Sequence, residues 1–216
     1  VLTLTVQADL VGDIQPATVV GQMTETVAAF NASLPVGYSV VAGGSVEESA
    51  NSQASVIAVV PMMVLMMLTF LMMQLQSFNR MFLVLSVIPL GLIGIVGALL
   101  IANRPLGFVA ILGILALIGM IARNAVILIE QVEADRNDGM HGWDAVIAAS
   151  MSRFRPITLT AISTVLGMIP IAGTIFWGPM AIAIMGGLTV ATVLTLIFLP
   201  TLYVVWFGIR EPTEKT

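Results

Sequence analysis

Apolar runs fill most of the chain, and a short stretch of alternating polar and apolar residues precedes them. Residues 1–8 read VLTLTVQA, with Leu2, Leu4, Val6 and Ala8 set against Thr3, Thr5 and Gln7. A period of two predicts a half-buried strand. Gly12, Asp13 and Pro16 predict a loop over 9–16. From 17 to 33, Val19, Met23, Val27 and Phe30 recur at helical spacing on one face. Pro35 and Gly37 end that helix, and 38–42 predicts a second short strand closed by Gly43 and Gly44. A β-α-β segment over 1–45 is too small to fold alone and calls for partner strands from elsewhere.

The apolar runs that follow are near the length of a bilayer span, about 20 residues. They predict five transmembrane helices, at about 56–75, 81–102, 106–130, 156–172 and 180–207. Residues 47–55 are polar and form a helical lead into the first. The longest polar connection is 131–155. Within it, 142–154 places Trp143, Val146, Ile147, Met151 and Phe154 along one stripe, which predicts a separate helix lying in the membrane interface. Pro156 then starts the fourth span, since proline suits a first helical turn. The expected fold class is a membrane all-α bundle of five helices (46–208), preceded by a small α+β segment (1–45) and followed by a charged tail (209–216).

Composition agrees. The chain is 58% hydrophobic and only 9% charged, where a soluble domain is nearer 25% charged. The net charge of −4 gives no basic footprint for nucleic acid. The absence of cysteine excludes disulfides, thiolate metal sites and cysteine nucleophiles. The chain does not begin with Met and carries no secretory signal pattern, so it is expected to be a piece of a longer protein. Alternating sides through five spans puts Arg80, Arg136, Arg153, Arg155, Arg210 and Lys215 on one side and Arg104 on the other. The positive-inside rule makes the first side cytoplasmic and places the N-terminal segment outside, in the periplasm of a Gram-negative cell.

One residue conflicts with its surroundings. Arg123 lies inside the third span, seven residues before Glu130, about 10 Å within the boundary. A charge there costs roughly 2.5–3.5 kcal/mol on insertion scales, and arginine does not escape by losing its proton. Snorkelling to the headgroups is one answer; pairing with acids on a neighbouring helix is the other. Asn124 adds a second polar group. In the fourth span Thr160, Ser163, Thr164 and Gly167 form a narrow polar face, which serves either a polar cluster with Arg123 or ordinary helix packing. Apart from Glu130 at the boundary, the spans hold no carboxylate to balance Arg123, so its partners are expected on helices outside this chain. Gly91, Gly94 and Gly97 predict close helix approach. Met62, Met63, Met66, Met67, Met72 and Met73 spread around their helix, as gap-filling side chains do, rather than forming a thioether metal site. His141, the single histidine, falls in a polar connection, so neither a catalytic triad nor a histidine metal site is expected.

Three stretches carry a resemblance: GMIARNAVILIEQ, SRFRPITLTAISTVLGMIPI and FWGPMAIAIMGGLTVATVLTLIFLPTLY. Their order and spacing closely resemble the C-terminal end of resistance-nodulation-division (RND) efflux transporters, specifically the hydrophobe/amphiphile branch, over residues 1 to about 208. The resemblance implies a partial RND fold, with these helices the last five of twelve. It implies a proton-driven inner-membrane exporter of hydrophobic or amphiphilic compounds, not an enzyme. No cofactor is implied beyond the proton motive force. Arg123 and Asn124 match the family's basic residue and its neighbour, which face two aspartates in the N-terminal half. Thr160 matches a hydroxyl of the same proton relay, with Ser163 and Thr164 as supporting polar face. The implied partners are that N-terminal half with its aspartate pair, two further copies in a homotrimer, a periplasmic adaptor, an outer-membrane channel and membrane lipids. The alternatives are a truncated, non-transporting membrane fragment, which the DNA upstream of Val1 would reveal, and an RND exporter of lipids or metal ions.

Overall fold

A computed structural model describes residues 3–8, 14 and 16–211. The chain divides into two compact units, Val1–Val59 and Val60–Thr216.

In the first unit Pro16 opens helix α1 (Pro16–Ser33), where its missing N–H would have no partner in any case. A turn follows, with the Tyr38 N–H donating to the Pro35 carbonyl at 3.1 Å and Gly37 at φ +102°, a value that favours glycine. The described residues of this unit then enter helix α2 (Ser45–Leu75). The expected strands are corrected here. Residues 3–8 and 38–43 are not strands, and Leu4, Val6, Tyr38 and Val41 are exposed; Val1 and Leu2 lie outside the described residues, as does most of the predicted loop over 9–16. The cause is pairing. A strand is held by a ladder to a neighbour, and none is present among the described residues. The Asn31 side chain substitutes for one rung, donating to the Val40 carbonyl at 2.8 Å and accepting from its N–H at 2.7 Å.

The second unit is helical among its described residues: the rest of α2, then α3 (Phe78–Ile101), α4 (Phe108–Asn137), α5 (Gly142–Ala172) and α6 (Gly178–Phe207). Each of α2 to α6 is long and apolar enough to cross a membrane. Helix α6 packs on α3, α4 and α5, and α4 packs on α3 and α5, so α4 and α6 form the centre. From α2, Leu71 and Leu75 enter the core. The α3–α6 seam depends on small residues. A Cβ on Gly94 would lie 2.5 Å from the Gly186 carbonyl oxygen, and one on Gly186 would overlap the Ala98 methyl. Gly91 likewise lies against Ile121 of α4. Gly97, by contrast, has nothing within 4 Å. Steps of three residues turn the face back by about 60° each time, so the row that meets α6 runs Gly91, Gly94, Ala98.

Helix α5 differs from expectation too. Residues 142–154 and 156–172 are one continuous helix through Pro156. Proline removes one backbone bond and bends a helix, but membrane helices tolerate it where neighbours hold the two halves in line; α4 and α6 flank α5. His141 is the N-cap of this helix, its ring Nδ1 accepting from the Trp143 N–H at 3.4 Å. Gly208 closes α6 in the left-handed conformation (φ 61°), and the Ile209 N–H reaches back to the Val204 carbonyl at 3.0 Å.

Candidate coupling site on α4 and α5

The middle of α4 is packed on one side and open on the other. Ile121, Ala122, Ala125 and Val126 are buried, and so is Asn124 at 7% exposure. Arg123, between them, is exposed. Successive helical residues point about 100° apart, so burying Ala122 and Asn124 turns Arg123 away from the bundle. It makes no hydrogen bond or ion pair among the described residues. An exposed guanidinium at this depth of an apolar helix presents five donors and a fixed charge, suited to a carboxylate approaching from outside the bundle.

On α5, Thr160 and Ser163 are exposed and Thr164 half-buried. Each hydroxyl donates to its own helix: Thr160 to the Pro156 carbonyl at 2.7 Å, and Ser163 and Thr164 both to the Thr160 carbonyl, at 3.0 and 2.8 Å. Their oxygen lone pairs remain able to accept. Helices α4 and α5 are packed neighbours, but among the described residues no hydrogen bond joins Arg123 to Thr160, Ser163 or Thr164. The structure thus leaves Arg123, Thr160 and Ser163 on the surface of the bundle, with Thr164 half-buried and Asn124 buried.

A second polar group, absent from the sequence reading, lies at the C-terminal end of α4. Glu133 pairs with Arg80 of α3 at 2.7 Å and with Arg136 at 3.6 Å. The Tyr203 hydroxyl of α6 donates to Glu133 and accepts from Arg136 at 3.0 Å. Arg80 also donates to the Leu75 carbonyl at 3.4 Å, at the last turn of α2. Two residues before Glu133 on α4, Gln131 accepts from the Arg153 guanidinium at 2.5 and 3.1 Å, joining α5 to α4. These contacts hold one end of α3, α4, α5 and α6 in register. The Glu133–Arg136 spacing of three was a legible signal. So was Tyr203, since a buried tyrosine hydroxyl needs a partner; it is 1% exposed. Among the described residues no group of three or more His, Asp or Glu side chains is placed to hold a metal ion. The α2 methionines Met62, Met66 and Met73 are exposed.

Two crystal forms of a heavy metal efflux pump are similar to this fold. Form II superposes with a TM-score of 0.69 at 27% identity, over 89% of this chain and 20% of the pump's. Form I gives 0.65 at 30% identity, over 85% of this chain and 19% of the pump's. The chain therefore spans about a fifth of the length of the pumps it matches. The model of the AcrB/AcrD/AcrF family matches residues 3–206, nearly the whole sequence. Five apolar helices, their packing and that match lead to one conclusion: the chain belongs to the AcrB/AcrD/AcrF family of RND efflux transporters.

Proposed function

We propose that this chain is the C-terminal part of a proton-driven inner-membrane exporter, and that Arg123 is the basic corner of its coupling site. The observation that carries the proposal is the exposed, unpaired guanidinium in the middle of α4. An unbalanced charge at that depth is costly, and an acid on the missing part of the protein would offset the cost. When that acid is ionised, Arg123 is held against it. When a proton neutralises it, the attraction goes and the guanidinium repacks. A charge change at a bistable packed element is a physical switch. Arg123 keeps its own proton throughout, so it responds to the proton without carrying it. Thr160, with Ser163 and Thr164 beside it, supplies hydroxyls that trade backbone bonds for bonds to the acid. The arginine-rich end, with Arg80, Arg136, Arg153 and Arg155, is cytoplasmic in this proposal. The assembled protein is a homotrimer working with a periplasmic adaptor and an outer-membrane channel.

The cargo in this reading is a hydrophobic or amphiphilic compound, supported by the sequence motifs of α4 to α6. A second reading, export of a metal ion, is favoured by the likeness to a heavy metal efflux pump. Proteoliposomes of the full-length protein with an imposed pH gradient separate them. Gradient-driven movement of an amphiphilic dye, unaffected by divalent or monovalent metal ions, supports the first. Gradient-driven metal flux without dye movement supports the second. Neither flux under the pH gradient overturns the proton-driven transporter reading.

A further inference from the structure

The C-terminal end of α4 holds a carboxylate that the coupling proposed above leaves unused. Glu133 accepts from Arg80 of α3 and from Tyr203 of α6, and it pairs with Arg136 one turn along its own helix. Gln131 ties the same end to Arg153 of α5. Among the described residues, all side-chain hydrogen bonds and ion pairs that join two of the helices α3, α4, α5 and α6 lie here. Toward its middle and its N-terminal end, α4 meets its neighbours through packing alone. Ile121 lies over Gly91 of α3, Leu117 over Gly187 of α6, and Gly113 against Met180 of α6. Hydrogen bonds weaken steeply with distance and angle, so they resist displacement. Apolar packing has no preferred direction and lets one helix rock on another.

Two further features make the polar end a pivot. Gly94 and Gly186 bring the backbones of α3 and α6 together, which keeps those two helices from shifting against each other. Arg80 and Tyr203 thus present Glu133 with a fixed pair of partners. Helix α4 is also the one among α2 to α6 with no proline inside it, and proline is a common cause of a sharp bend. A force at Arg123 therefore moves α4 as a rod. Arg123 is ten residues from Glu133, about 15 Å along the axis. A tilt of about 5° about Glu133 moves Arg123 by about 1.3 Å, within the roughly 1–2 Å helix shifts that switching proteins use. The same tilt moves Phe108, at the far end of α4, by about 3 Å.

We propose that Glu133 is a positioning residue for the coupling step. It pins the C-terminal end of α4, so that a change of charge opposite Arg123 tilts the helix about that end. A slide along the axis would break the Arg80 and Tyr203 contacts together; a tilt about Glu133 leaves both in place. This rests on the coupling role proposed for Arg123.

The test is pulsed electron–electron distance measurement on the full-length protein in nanodiscs, at about pH 5 and about pH 8, which bracket the titration of a buried carboxylate. This chain has no cysteine. Spin-labelled cysteines therefore enter at exposed positions, Asn79 and Asn137 for the pinned end and Leu106 and Thr174 for the far end, with cysteines elsewhere in the protein replaced. In wild type the Asn79–Asn137 distance should be the same at both pH values, and the Leu106–Thr174 distance should change by about 3 Å. Glu133→Gln keeps the size and removes the charge; it should make the Asn79–Asn137 distance depend on pH. Arg80→Gln cuts the same link from the α3 side and should do likewise. A residue with only a structural role would alter that distance equally at both pH values. A pH-dependent Asn79–Asn137 distance in wild type overturns the proposal. So does a pH-independent one in both variants, or a wild-type Leu106–Thr174 distance that ignores pH. Efflux by Arg123→Ala separates this proposal from the one it rests on. Lost efflux together with a moving Asn79–Asn137 pair retires the pivot and keeps the coupling role, whereas undiminished efflux retires the coupling role itself.

Discussion

Replacing Gly94 by alanine tests the packing of the bundle more sharply than any change in its apolar core. The new methyl carbon would sit 2.5 Å from the Gly186 carbonyl oxygen and 2.7 Å from the Val190 Cβ. Carbon and its neighbours normally stay about 3.5–4.0 Å apart, so α3 and α6 must separate by roughly 1 Å or tilt. One obstacle is backbone, which cannot rotate aside. The Gly186 face tightens the same seam, since Ala98 already fills the space where a Gly186 side chain would be. Overpacking of this kind costs about 1–3 kcal/mol. Alanine returns roughly 0.5–1 kcal/mol through its better helix propensity. The net loss centres on about 1 kcal/mol and reaches about 2.5 kcal/mol at most, roughly a tenfold rise in the unfolded fraction at the centre of the range. Gly97→Ala is the control three residues away, with nothing within 4 Å of the added carbon. It should be neutral or slightly stabilising. Equilibrium unfolding in mixed micelles titrated with a denaturing detergent measures both. The reasoning fails if Gly94→Ala matches wild type, or if Gly97→Ala is the more damaging of the two.

The polar end of the bundle gives further predictions. Tyr203→Phe keeps the ring against Phe207 (centroids 4.6 Å apart) and removes only the hydroxyl between Glu133 and Arg136. It should cost about 1–2 kcal/mol, less than a fully buried charged hydrogen bond because Arg136 is 38% exposed. A double-mutant cycle with Glu133→Gln should show coupling of about 1 kcal/mol, and additive losses would argue against the contact. Arg80→Ala should destabilise by more than Arg136→Ala in the same unfolding assay, because its pair with Glu133 is closer (2.7 against 3.6 Å) and it also holds the last turn of α2. His141→Ala should lower the onset of α5 unfolding slightly, by about 0.5 kcal/mol or more for a lost cap, seen as faster amide exchange at Trp143 and Asp144.

The five spans were legible because apolar length alone nearly decides a membrane helix. The residues inside them were harder. Arg123 and Asn124 are conspicuous in sequence, since polar groups have little use in an apolar span, but their different sides are visible only in packing. The β-α-β reading failed on residues 3–8 and 38–42 because alternation records a need for a partner strand and does not supply one. Pro156 suits a helix start by its local chemistry, yet a helix flanked by two neighbours runs through it. Gly97 shares the spacing of Gly91 and Gly94, yet the third step of three turns off the contact face. The Arg80–Glu133–Tyr203 contacts were hidden because their members come from three helices, and no local spacing relates Arg80 to Tyr203.

The central claim is that a fixed cation on α4 couples protonation to export. Its most direct test is efflux by cells expressing the full-length protein with Arg123→Ala, compared with wild type and Arg123→Lys at equal membrane levels. Loss of efflux in the alanine variant, with insertion intact and partial recovery in the lysine variant, is the predicted result. Undiminished efflux by the alanine variant would contradict it.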